Sequence, residues 1–153
     1  MNPTSITQEA QCVSLLFQYG VITSEDVIAW ADRMIVEIGT PSESLLDLST
    51  TSPCKTEDII SCLHRLSVGA DLWAAFRNVI PKILEFILSH PEKAEGVAYH
   101  LFLTACYYTA PKDLRFLYRI EDDFSLANEG VLGNRETVYQ NFVDELKKFT
   151  SST

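Results

Sequence analysis

The 153-residue chain is 46% hydrophobic and 22% charged, with a formal net charge of −9, close to the globular average and long enough to bury one full core. The negative balance offers no broad basic patch to neutralise phosphates, which argues against nucleic acid as a partner. The longest apolar stretches, such as Val79–Leu88, are interrupted by Pro81, Lys82 and Glu85, too polar for a membrane span, so no membrane partner is expected.

The N-terminal MNPTSITQEAQ has no basic region followed by an apolar one, so a cytoplasmic protein without a secretory leader is expected. Thr7 caps a first predicted helix that runs to about Tyr19, with Val13, Leu16 and Phe17 inward and Gly20 at its exit. Thr23 with Asp26 three residues on fits an N-terminal capping pattern for a second helix, ending near Ile38 before Gly39 and Pro41. Its helical steps put Val27, Ala31, Met34, Ile35 and Ile38 on one side, and Glu25, Asp26, Asp32, Arg33 and Glu37 on the other, with Val36 among the acids. A short helical turn over 42–48 precedes a Ser/Thr-rich connector, read as a flexible loop near 49–55.

Helical pattern resumes near Thr56 with Ile59, Ile60, Leu63 and Leu66. A long helix from Asp71 carries Leu72, Phe76, Val79, Ile80, Ile83 and Ile87, kinked by Pro81 because its ring collides with the preceding turn. Ser89 or His90 caps the next helix with Pro91 at its first position. The stretch Gly96–Ala110 is apolar nearly all round and reads as the central helix. Pro111 opens a segment with Leu114, Phe116, Leu117 and Ile120. Asn134 caps a terminal helix bearing Val138, Phe142, Leu146 and Phe149, followed by a frayed tail over 150–153. No strand alternation and no fixed repeat emerges. The expected fold is all-α, one irregular domain over 1–153 with about six to eight helices.

Familiar helical chemistries fail residue by residue. Di-iron bundles need Glu-x-x-His, but Ser61, Ile87 and Val97 stand three before the histidines. A magnesium-dependent nucleotide pyrophosphatase would match Glu92 and Glu95, but Glu121 is followed three later by Phe124. Cys62 and His64, or His100 and Cys106, lack further ligands at zinc spacing. No glycine-rich phosphate loop is present. No catalytic, cofactor-binding or metal residues are therefore assigned. His100 reads as a hydrogen-bonded structural histidine and Cys106 as core, and all four cysteines as reduced thiols. Of Tyr107 and Tyr108, one is expected to pack inside, with a contact hot spot the less favoured reading. Glu121, Asp122 and Asp123 read as a solvated helix end beside Arg115 and Arg119.

The first fifty residues carry seven carboxylates (Glu9, Glu25, Asp26, Asp32, Glu37, Glu43, Asp47) against Arg33 alone, whereas the other 103 carry fourteen acids and eleven bases. Such a lopsided field speaks of partners. An apolar side chain ringed by carboxylates is what a contact site for a basic protein contains, so Glu25, Asp26, Asp32, Val36 and Glu37 are the candidate partner-binding residues.

WADRMIVEIGTPSESLLDLS, from Trp30 to Ser49, resembles a signature of a group of bacterial cytoplasmic helical proteins with no settled activity: W-A-D with a basic residue, an apolar helix end, then Pro and a turn ending D-L-S. It implies no residue roles. In charge and architecture the chain is also similar to small acidic immunity proteins that neutralise cationic nuclease toxins. The functional expectation is an acidic protein-binding factor, an immunity-type inhibitor occluding a basic toxin or nuclease, acting as monomer or homodimer. The alternatives are a helical adaptor or self-assembling subunit and, third, an unrecognised helical enzyme with His100 and a carboxylate in a deep pocket.

Overall fold

Apolar residues at three- and four-residue spacing fold into eight α-helices in a computed structural model that describes residues 3–150, and no strand occurs among the described residues. In chain order they are α1 (Pro3–Gln18), α2 (Ser24–Ile38), α3 (Glu43–Ser49), α4 (Thr56–Leu66), α5 (Leu72–Ser89), α6 (Ala94–Tyr108), α7 (Leu117–Asn128) and α8 (Arg135–Lys147). Single 3-10 turns at Pro91–Lys93 and Lys112–Leu114 precede α6 and α7. The all-α expectation holds. The chain divides into two compact units, residues 1–79 and 80–153, with the division inside α5.

In the first unit, α1 packs on α4, and α3 packs on both α2 and α4. Their shared core holds Ala10, Val13, Val27, Trp30, Met34, Leu45, Leu48, Ile59 and Leu63, all buried. α1 begins at Pro3, so Thr7 lies within the helix and does not cap it. Proline suits a helix's first turn, where its missing N–H has no intrahelical acceptor in any case. α1 buries Ser14 and Leu15 as well as Val13 and Leu16, and Tyr19 just beyond its end is buried too, because the start of α5 also meets this segment. The Gln8 side chain there accepts from the Asp71 N–H and donates to the Asp71 carbonyl, and the Tyr19 ring sits edge-on to Phe76 at 6.5 Å.

Gly20 ends α1 at φ 78, where a side chain is disfavoured. Its N–H donates to Phe17 at 3.1 Å, and those of Val21 and Ile22 both donate to Leu16, at 2.9 and 3.4 Å. Ile22 packs against the first unit's core. The 49–55 connector is hydrogen-bonded: Thr51 donates from its backbone to Leu48 and from its hydroxyl to Asp47, and the Lys55 N–H donates to Ser52.

In the second unit α6 packs on α7, and α7 on α8. Phe124 and Phe142 meet edge-to-face at 6.2 Å, and Leu101, Leu114, Leu117 and Leu146 are buried in the same unit. Asn134 caps α8 as its sequence requires, accepting from the Thr137 N–H at 2.9 Å. Thr150 still hydrogen-bonds to Lys147, and the rest of the expected frayed tail lies outside the described residues. Pro81 lies inside α5, where it removes one helical N–H.

Three expectations for α6 are overturned. Its buried residues, Ala94, Val97, Ala98, Leu101, Thr104 and Ala105, occupy one side only. His100 and Cys106 are exposed, and Tyr107 and Tyr108 are both outside, at 83% and 50% exposure. Apolarity all round identified a helix able to pack on two sides; only one side is packed.

Candidate functional site

α2 carries the acidic face, and its start is fixed locally. Thr23 accepts from the Asp26 N–H at 3.2 Å while the Asp26 carboxylate accepts from the Thr23 N–H at 2.9 Å, a reciprocal cap. Gly39 closes the other end, its N–H bonded to Ile35. Between these caps Val27, Trp30, Ala31 and Met34 are buried. The indole N–H of Trp30 donates to Glu9 at 3.0 Å, so one carboxylate of the acidic segment serves the core edge.

The five candidate residues, Glu25, Asp26, Asp32, Val36 and Glu37, are all exposed. Glu25, Asp32 and Val36 stand seven and four residues apart and share one stripe; Asp26, Arg33 and Glu37 form the next row. Val36 is 83% exposed, with Asp32 one turn before it on the same stripe, Glu37 beside it and Arg33 in the next row, whereas Glu25 stands about 16 Å away along the helix axis. Two of the acids also have structural tasks. Asp26 belongs to the cap, and Asp32 accepts a hydrogen bond from the Ser49 hydroxyl at the end of α3. That bond holds α3 as it returns along α2 and brings further exposed groups to this unit: Glu43, Leu46 and Asp47. Asp47 lies 3.8 Å from Arg65. Leu46 was not singled out from sequence, although L-L-D-L places one leucine opposite the buried Leu45 and Leu48 pair.

The other candidates resolve differently. His100 is exposed, its ring edge-on to Tyr99 at 5.5 Å. Glu121 accepts from the Ser125 hydroxyl at 3.1 Å, and Arg119 turns to Glu145 at 3.7 Å. Asp123 lines an open depression of about 250 Å³ between α7 and α8, with Phe116, Arg119, Ile120, Asn141, Asp144 and Glu145. His100 is not among its walls, so the enzyme reading gains nothing from it. Among the described residues no group of three or more His, Cys, Asp or Glu side chains is placed to hold a metal ion, and no helix is long and apolar enough to cross a membrane. No disulfide joins the cysteines: Cys62 is buried and accepts from Arg65, and Cys54 and Cys106 are exposed.

Compared with known proteins, the chain matches no family model, no curated protein and no solved structure.

Proposed function

We propose that the protein is an acidic protein-binding factor of the immunity type, which occludes a basic toxin or nuclease through the outer face of α2. The observation that carries this reading is Val36, 83% exposed on the face of α2 that also carries Asp32 and Glu37, in the segment that holds seven carboxylates against one base. The net negative charge of this face steers a basic partner in by long-range attraction, and Val36 supplies local apolar contact that sets the lifetime of the complex. Occlusion of the partner's nucleic-acid site follows from covering its basic surface.

Affinity capture from the source cell at low and moderate salt, with mass spectrometry, tests this. A basic protein should be retained at low salt and released as salt rises. If the retained proteins are no more basic than the lysate, the reading fails. The self-assembling alternative is favoured by one observation, the bare outer face of α6.

A further inference from the structure

Glycine is the poorest helix former after proline, yet Gly96 is the third residue of α6. A Cβ placed on Gly96 would meet nothing within 4 Å, so packing within the chain does not call for glycine there. From Gly96, steps of three, four and three residues reach Tyr99, Leu103 and Cys106, the spacing of a helix-pairing seam. Tyr99 is 45% exposed, Leu103 half-buried, Cys106 exposed, and Tyr107 flanks the stripe on its open side. The opposite side of α6 is the one buried within the second unit.

We propose that this outward stripe pairs with the same stripe of a second copy, the two α6 helices running antiparallel. Charge identifies the occupant. A chain of net charge −9 repels its own copies over much of its surface, but residues 96–111 contain no acidic or basic side chain except His100, so here two copies can approach. The flanks are self-complementary: Glu92 and Glu95 outweigh Lys93 at the start of α6, and Lys112 and Arg115 outweigh Asp113 beyond its end. Antiparallel pairing sets these unlike ends, and the opposed helix dipoles, against each other, whereas parallel pairing sets like against like. In that register Gly96 of one copy faces Cys106 of the other and Tyr99 faces Leu103; the missing side chain at Gly96 lets the helices come close. The proposal is independent of the acidic-face reading, whose residues belong to the other unit.

Sedimentation velocity of the full chain over a dilution series is the test. The mass should rise from 17.2 kDa toward twice that value with concentration. Tyr107→Glu and Gly96→Gln should each raise the dimer dissociation constant about tenfold or more with helix content by circular dichroism unchanged. In a Cys54→Ser background, adding Gly96→Cys should yield an interchain disulfide with Cys106 on treatment with diamide, which oxidises the two thiols as it is reduced to its hydrazine. The Cys54→Ser chain alone should yield none. A chain that stays monomeric throughout, a dimer of unchanged affinity in both variants, or a Cys106–Cys106 crosslink overturns the proposal.

Discussion

The corner between α1 and α2 and the corner between α7 and α8 are built alike and end differently. In the second, the Gly130 N–H donates to Ala127 at 3.1 Å, and those of Val131 and Leu132 both donate to Leu126, at 3.0 and 3.4 Å, matching the bonds that Gly20, Val21 and Ile22 make. Both glycines are left-handed, at φ 78 and 73. Both corners place two aliphatic residues after the glycine and then reach a helix cap, Thr23 or Asn134. Ile22 packs against its unit's core, whereas Val131 and Leu132 are 66% and 68% exposed. Turn geometry is therefore a local property, set by a glycine and a cap, while burial of the turn's apolar pair depends on what distant elements bring to it. The second corner is tied to the start of α6, Asn128 donating to Glu95 at 2.7 Å and Arg135 to the Pro91 carbonyl at 3.3 Å, so its bare tip lies at the same end of α6 as Gly96.

The largest expected difference between the corners concerns the aliphatic pair. Ile22→Ala should cost about 1–3 kcal/mol of unfolding free energy, as partial cavity formation does, and Leu132→Ala less than about 0.5 kcal/mol, as an exposed truncation does. Urea unfolding of both variants measures this, and equal losses would break the contrast. Backbone strain should not discriminate: Gly20→Ala and Gly130→Ala should each lower stability by about 1 kcal/mol, because each forces a side chain into left-handed backbone. Unequal thermal shifts would show that one turn is held by more than its glycine. Smaller still, Asp26→Ala should cost about 0.5 kcal/mol by removing half of the reciprocal cap, with Thr23→Ala and Asn134→Ala at about 1 kcal/mol as internal standards.

The caps at Thr23 and Asn134 were legible because one side-chain oxygen and a nearby N–H decide each of them. The buried stripe of α2 was legible too, since its apolar positions recur on one side and its acids on the other. α6 was not. A helix apolar on both faces reads the same whether one or both faces are covered, so His100 and Cys106 were assigned to a core they do not enter. Of the acidic face, the exposure of Val36 and the capping task of Asp26 followed from local pattern, but the task of Asp32 needed three dimensions; Ser49 is seventeen residues from Asp32. For that reason Asp26 and Asp32 are poor sites for charge reversal, and Glu25 and Glu37 are better ones.

The most direct test of the acidic-face reading is the association rate of the captured partner with the chain bearing Glu25→Lys and Glu37→Lys, followed against ionic strength. Removing two carboxylates and adding two ammonium groups should slow association about tenfold or more at low salt and flatten its salt dependence, with helix content unchanged. Association as fast and as salt-dependent as that of the unaltered chain would show that α2 presents only a solvated surface.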